Sequence, residues 1–129
     1  MSDMTIARLG KAAGVGVETV RYYQRRGLLP VPPSAGGIRR YGPEDLRKLK
    51  FIRRAASAGF CLNEIGELIR LDATNDRKRA AEMAGERLAH LDRKIAELKT
   101  ARTALARLRT QCTGGGKGPC PILEAFDPA

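Results

Sequence analysis

The sequence predicts a mainly α-helical protein, built from a winged helix-turn-helix, a long helix and a short cysteine-bearing C-terminal segment. Apolar residues recur at helical spacing along most of the chain, which favours helices. A proline- and glycine-rich stretch between two of these apolar patterns predicts a hairpin. Near the end, two cysteines bracket seven residues, four of which are glycine.

Positive charge is concentrated in the first part of the chain. Residues 1–56 contain 12 Lys/Arg and four Asp/Glu, a net charge of +8, whereas residues 57–129 carry a net charge of +2. Crowding of like charges is unfavourable for a compact domain unless an anionic partner relieves it. Double-stranded DNA is the natural candidate for that partner.

Several classes of protein are disfavoured by composition. No run approaches the roughly 18 apolar residues of a membrane span, so no membrane partner is expected. The N-terminal residues contain no apolar signal segment, so we expect a cytoplasmic protein whose three cysteines stay reduced. No Ser/His/Asp set, phosphate loop or carboxylate pair indicates an enzyme.

Two short helices joined by a glycine turn are predicted at the N-terminus, over residues 5–13 and 17–26. The second helix of such a pair can enter the major groove of DNA. On this helix, Val20 and Tyr23 lie three residues apart and form one face, while Arg21 lies on another face. One face can therefore pack while the other meets DNA.

A basic hairpin is predicted to follow, over residues 28–40. Its prolines and the Gly36-Gly37 pair favour a turn over a helix. Arg39, Arg40 and Tyr41 lie on the returning arm, which makes the hairpin a wing whose side chains can bond phosphates.

Two helices of ordinary length come next. Pro43 suits the first turn of a third helix, which Gly59 ends. A fourth helix is predicted over 62–71, followed by a polar connection over 72–76.

The longest helix is predicted over residues 77–111, which contain no proline. A helix of this length spans roughly 50 Å, far more than a small domain can cover with its own core. Its apolar residues follow heptad-like spacing, which predicts a coiled-coil homodimer. The expected dimer interface consists of Leu88, Leu91, Ile95, Leu98, Leu105 and Leu108.

The cysteines Cys112 and Cys120 flank the glycine-rich segment that follows this helix. A thiol pair across such a loop suits a soft metal ion in a reducing compartment. Pro121 predicts a short helix over 121–126, which places Cys120 at its N-cap, where exposed N–H groups favour the thiolate.

Three motifs resemble the MerR family of transcription regulators: residues 17–29, residues 37–42, and Ala58-Gly-Phe followed by Leu62-Asn-Glu-Ile65. The resemblance covers nearly the whole chain. It implies a winged helix-turn-helix, an antiparallel coiled-coil dimer, and activation by distorting promoter DNA so that RNA polymerase can engage. The expected DNA contacts are Val17, Thr19, Arg21, Tyr22, Tyr23, Arg39, Arg40 and Tyr41.

The resemblance also assigns the three parts of the chain. Residues 1–75 are expected to form the DNA-binding domain with its connecting helices, and 76–111 the dimerisation helix. Residues 112–129 are expected to hold the metal-sensing loop and a short helix. Metal sensors of the family use two cysteines flanking such a loop, which Cys112 and Cys120 match.

The sequence is compatible with two classes of metal ion, Hg(II) and the monovalent ions Cu(I), Ag(I) and Au(I). Mercury and zinc sensors of the family add a cysteine at the start of the long helix, where this chain has Arg77. Two thiolates suit Hg(II), Cu(I), Ag(I) or Au(I), whereas Zn(II) wants four ligands. Cys61 is expected to be a small buried hydrophobic residue, with a third metal ligand as the alternative.

Two functions remain in play. The first is a DNA-binding regulator that senses a soft metal ion and activates a metal-resistance promoter. The second is a redox or electrophile sensor on the same scaffold, in which Cys112 and Cys120 form a disulfide.

Overall fold

The structure is a computed structural model that describes residues 3–128, without the side chain of Ala35. Residues 1, 2 and 129, at the ends of the predicted domains, lie outside the described residues. The described part of the chain is mainly helical, as predicted. Its elements are α1 (Ile6–Ala13), α2 (Val17–Arg25), β1 (Ser34–Ala35), β2 (Ile38–Arg39), α3 (Pro43–Ser57), α4 (Leu62–Thr74), α5 (Arg77–Thr113) and α6 (Pro121–Ala125).

The chain divides into two compact units, one ending at Arg87 and the other beginning at Leu88. The helix α5 therefore contributes its first turns to the N-terminal unit and the rest to the C-terminal unit. Among the described residues, no helix is both long and apolar enough to span a membrane.

Helices α1 and α2 form the predicted helix-turn-helix. The hydroxyl of Thr5 caps α1 by accepting the N–H of Arg8 at 3.3 Å. At Gly10 the backbone of the turn comes so close that a Cβ would lie 2.7 Å from the carbonyl oxygen of Val15. Glycine is therefore required where the two helices meet.

The hairpin forms the predicted wing. Strands β1 and β2 pair antiparallel, and the turn between them is made by Gly36 and Gly37, with φ angles of 63° and 84°. Two successive positive φ angles define the tight turn that matches the twist of a hairpin. Two backbone hydrogen bonds of 3.1 and 2.8 Å join Met4 to Tyr41 and fix the wing beside α1.

The core of the N-terminal unit joins the helix-turn-helix to α3 and α4. Burial of this apolar surface provides most of the driving force for folding of the unit. The buried cluster consists of Leu9, Val20, Tyr23, Leu29, Tyr41, Leu49, Ile52 and Ile65.

Helix α4 is longer than the sequence pattern predicted. It continues through Asp72 to Thr74 and ends at Asn75, whose φ of 56° is left-handed. The prediction that 72–76 form a polar connection is wrong for residues 72–74. Asp72 faces α3, where its carboxylate lies 3.1 Å from the guanidinium of Arg47, and this ion pair helps to hold the added turn against α3.

Helix α5 also exceeds its predicted end. It runs through 37 residues to Thr113, so Cys112 lies in its last turn and not in the loop. The hydroxyl of Thr113 donates to the carbonyl oxygen of Arg109 at 3.0 Å, which occupies a carbonyl in this last turn. Helix α6 begins at Pro121 as predicted and ends one residue earlier, at Ala125.

Candidate metal centre and nucleic-acid interface

The two cysteines of the C-terminal unit come together. Cys112 is held by the last turn of α5, and Cys120 is the N-cap of α6. The loop between them reverses through Gly115 and Gly118, whose φ angles of 77° and 123° are unfavourable for residues with a Cβ. Both thiols are free and half-buried.

The two sulfurs share a hydrogen bond. The thiol of Cys112 donates to the sulfur of Cys120, which raises the pKa of Cys112 and lowers the pKa of Cys120. The backbone N–H of Leu123 also donates to Cys120 and lowers its pKa further, and the N–H of Ile122 bonds to both sulfurs. The N-terminus of α6 therefore stabilises negative charge on this sulfur pair.

The donor set at this site is two sulfurs. Within residues 3–128, no group of three or more His, Cys, Asp or Glu side chains could hold a metal ion. A pocket of about 320 Å³ adjoins the sulfurs, and Lys117 and Gln111 line it together with the loop. Two thiolates and no harder ligand fit a soft ion of low coordination number and do not fit Zn(II).

Cys61 is exposed, so the expectation that it is buried is wrong. It is the N-cap of α4, and its backbone N–H donates to the carboxylate of Glu64 at 2.8 Å. Arg77, at the position of the missing helix cysteine, is exposed and begins α5.

The predicted recognition helix presents a mixed surface. Arg21 is exposed and lies 3.1 Å from the carboxylate of Glu18, and Tyr22 is also exposed. Val17 and Thr19 are half-buried. Tyr23 is buried at 8% exposure and packs in the core, so its ring is not available for the direct DNA contact expected of it.

The wing presents two arginines that are anchored by backbone carbonyls. Arg39 donates to the carbonyl oxygen of Pro32 at 3.1 Å, and Arg40 donates to that of Asp3 at 3.4 Å. Arg39 also lines a pocket of about 270 Å³ together with Arg21 of α2. The recognition helix and the wing thus offer guanidinium groups to one recess, which suits a phosphate.

Tyr41 departs from the expectation that it contacts DNA. Its side chain is only 2% exposed, and its hydroxyl accepts a hydrogen bond of 3.0 Å from the amide of Gln24. Gln24, which is not among the expected DNA contacts, also lines the recess between helix and wing. Its place one turn after Arg21 on the same helix was the available signal.

The expected dimer seam is unpartnered in one chain. Five of its leucine and isoleucine residues are 39–60% exposed, and the sixth is half-buried. These residues are Leu88, Leu91, Ile95, Leu98, Leu105 and Leu108. An apolar stripe of this length on an isolated helix indicates an interaction surface.

Comparison with known proteins identifies the family. A model described as "MerR HTH family regulatory protein" matches residues 4–72, and one described as "MerR, DNA binding" matches residues 46–108. The chain is 40% identical to the mercuric resistance operon regulatory protein of Serratia marcescens, over 98% of this chain and 89% of that protein.

Two solved structures are also similar. The transcription regulator PbrR691 of Ralstonia metallidurans CH34, in complex with lead(II), has a TM-score of 0.74 and 33% identity, covering 96% of this chain and 99% of that one. The regulator MerR of Bacillus megaterium MB1, in complex with mercury(II), has a TM-score of 0.65 and 29% identity, covering 95% and 98%. The chain therefore belongs to the MerR family of DNA-binding, metal-responsive transcriptional regulators.

Proposed function

We propose that this regulator senses a soft thiophilic metal ion through Cys112 and Cys120 and activates a metal-resistance promoter by distorting its DNA. The observation that carries the proposal is the pair of free thiols, Cys112 in the last turn of α5 and Cys120 at the N-cap of α6, which line one pocket. Bringing two thiols together is unfavourable once both are ionised. A bound cation offsets the repulsion between the two thiolates, so the arrangement of the loop favours cation binding.

The ion belongs to one of two classes, Hg(II) or the monovalent Cu(I), Ag(I) and Au(I). Two thiolates leave a monovalent ion with a net charge of −1 and leave Hg(II) neutral. The N–H groups of Ile122 and Leu123 favour the charged complex, whereas similarity to named mercury regulators favours Hg(II). Both classes accept two sulfur ligands.

The DNA contacts are proposed for the exposed members of the expected set. Arg21 of α2 and Arg39 of β2 both line the recess and bind phosphate there, while the exposed side chains of Arg40 and Tyr22 extend the surface. The recognition helix enters the major groove. A homodimer formed through the α5 seam presents two such surfaces to a two-fold promoter, where RNA polymerase then engages.

A promoter-reporter assay tests the function. The wild-type protein should activate transcription with either Hg(II) or Cu(I), and much less with Zn(II) or Pb(II). Cys112→Ser and Cys120→Ser should each abolish activation while leaving promoter binding intact, because a hydroxyl is a poor ligand for soft ions. Cys61→Ser serves as the matched control and should keep the response. Activation that survives both loop substitutions would contradict the proposal.

A redox or electrophile sensor is the second candidate, because two hydrogen-bonded free thiols are also close enough to react with each other. A peroxide would accept two electrons and two protons from the thiols and leave a disulfide between Cys112 and Cys120. Excess glutathione separates the candidates. A metal response survives it, whereas an easily reduced disulfide opens.

A further inference from the structure

Two arginines fasten the long helix to the N-terminal unit. Arg79 and Arg87 lie eight residues apart on one face of α5, on either side of Met83, which is 2% exposed. The guanidinium of Arg79 makes a two-pronged contact with Glu67 of α4, through Nε at 2.7 Å and a terminal nitrogen at 3.2 Å. This planar fork fixes orientation as well as distance.

Arg87 fastens α5 to the start of α4 and the turn before it. Its guanidinium lies 3.6 Å from the carboxylate of Glu64 and 5.7 Å from the ring centre of Phe60. A Cβ placed on Gly59, where φ is 93°, would lie 3.3 Å from the same guanidinium. Glu64 also accepts the N–H of Cys61, so one carboxylate joins the N-cap of α4 to α5.

These pairs differ from ordinary surface ion pairs. The side chains of Arg87, Glu64 and Glu67 are 22–32% exposed, and that of Arg79 is 38% exposed. Partial burial reduces the screening of such contacts by salt. Arg79 holds the pKa of Glu67 below its usual value, in keeping with a formed pair.

The pairs Arg79–Glu67 and Arg87–Glu64 together form a joint between α4 and α5. The position of this joint in the chain gives it a role. Arg87 is the last residue of the N-terminal unit, and beyond it the same helix carries the exposed seam and ends at Thr113, with Cys112 in its last turn. Within one chain, α5 is the continuous helix between the loop and the DNA-binding unit, and its first turns are the part that contacts α4. A buried methionine alone permits sliding and rotation. The forked Arg79–Glu67 pair, together with the contacts of Arg87 to Glu64 and Phe60, resists both.

We propose that the joint formed by Arg79–Glu67 and Arg87–Glu64 transmits the metal-bound state of the loop to the DNA-binding unit. Arg79 and Arg87 are positioning residues, which hold α4 in a fixed orientation on α5. The inference rests on the proposed function, because it requires a metal-dependent change in promoter DNA.

The test uses the double variant Arg79→Met/Arg87→Met, which keeps apolar stems against Met83 and removes both guanidinium groups. Lys78→Met is the matched control, since Lys78 is an exposed cation in the same turn of α5. The readout is energy transfer between fluorophores flanking the promoter spacer, with and without Hg(II) or Cu(I). Protein, metal and DNA are saturating, so that lost stability or affinity alone does not alter the signal.

The wild-type protein and Lys78→Met should show the same metal-dependent change in energy transfer. In the double variant this change should be smaller by a factor of at least about five, which is the lower end of ordinary coupling between sites. Metal stoichiometry and metal-free promoter binding should stay unchanged. Arg79→Lys, which keeps the charge but not the fork with Glu67, should respond less than the wild type.

Other outcomes overturn the inference. A full response of the double variant would show that the joint does not couple the sites. Loss of metal-free promoter binding in the double variant would assign the joint a structural role only. If the double variant does not fold, the milder change Glu67→Gln decides whether the joint couples the two sites. A wild-type protein without any response would contradict the proposed function itself, whereas a response in every variant contradicts only the coupling.

Discussion

Cys112 and Cys120 show how one pair of like residues is made unequal by its surroundings. The sulfur of Cys120 accepts hydrogen bonds from the thiol of Cys112 and from N–H groups of α6, whereas Cys112 is the donor in the bond that the two cysteines share. The pKa of Cys120 is therefore lowered and that of Cys112 is raised. The first negative charge on the pair therefore forms on Cys120, at a lower pH than an ordinary thiol requires.

This asymmetry predicts an order of alkylation in the metal-free protein. A lowered pKa means that the thiolate is present at lower pH, so Cys120 should react with iodoacetamide at a lower pH than Cys112. Mass spectrometry of peptides from a Cys61→Ser background, alkylated across a pH series, measures both sites. Equal pH profiles for the two cysteines, or earlier reaction of Cys112, would contradict the hydrogen-bonded arrangement.

The arginines of helix and wing should differ from the buried tyrosine in their effect on DNA binding. Arg21→Ala and Arg39→Ala should each weaken promoter binding and flatten the slope of log affinity against log salt by about one unit. Arg107→Ala removes the same charge from α5 and should leave the slope unchanged.

Tyr41→Phe should instead lower the free energy of unfolding by about 1 kcal/mol. The amide of Gln24 loses the hydroxyl of Tyr41 and keeps only its longer contact, at 3.4 Å, with the carbonyl oxygen of Pro30. The salt slope should stay the same, since the Tyr41 side chain is buried. A change of slope equal to that of the arginine variants would return Tyr41 to the DNA-contact surface.

The sequence predicts where a residue lies on a helix or hairpin better than it predicts the burial of its side chain. The positions of Arg21 and Arg39 follow from helix and hairpin patterns, and both side chains are exposed. The burial of Tyr41 does not follow, because it depends on a backbone pairing with Met4 that is 37 residues away. The exposure of Cys61 depends likewise on how the turn between α3 and α4 sits.

At the scale of elements, α5 determines what the chain needs from a partner. Its first turns pack through Met83 and the two arginines, and Met83 is the one buried residue of the helix within the described chain. The remainder exposes an apolar stripe in water. At about 1.5 Å per residue the 37 residues span about 55 Å, which exceeds any surface that the short α6 can cover.

A charge in this stripe should release monomers. Leu98→Glu would bury a carboxylate in the dimer seam at a cost of several kcal/mol, which should dissociate the dimer at micromolar concentration. Ala96→Glu adds the same charge on the opposite side of the helix and should leave the dimer intact. Sedimentation velocity measures both, and a wild-type protein that sediments as a monomer would contradict the dimer.

Element boundaries could be predicted where local chemistry sets them. Thr5, Pro43 and Pro121 begin helices at or beside the predicted positions, and glycines close the turns. The ends of α4 and α5 extend beyond their predicted positions. Asp72 pairs with Arg47 of α3 in the added turn of α4, and the hydroxyl of Thr113 bonds within the last turn of α5. The arginine–glutamate pairs between α4 and α5 were not predicted. The available signal was that Glu64 and Glu67 lie one helical turn apart in α4, while Arg79 and Arg87 lie on one face of α5.

The whole molecule combines a basic N-terminal unit with a sulfur pair at the far end of a continuous helix. The family assignment explains this combination, since a metal-responsive regulator must bind DNA and metal at separate places on one chain. The strong positive charge of residues 1–56 suits the first task, and the function proposed above assigns the second to the nearly balanced C-terminal part. Helix α5 is the covalent connection between them.

X-ray absorption spectroscopy of the metal-loaded protein tests the central claim most directly. With either Hg(II) or Cu(I), one ion should bind per chain with two sulfur neighbours, and this shell should disappear in Cys112→Ser and Cys120→Ser. A third sulfur that is lost in Cys61→Ser would bring Cys61 into the site. A four-coordinate shell rich in nitrogen or oxygen would contradict the two-sulfur metal centre.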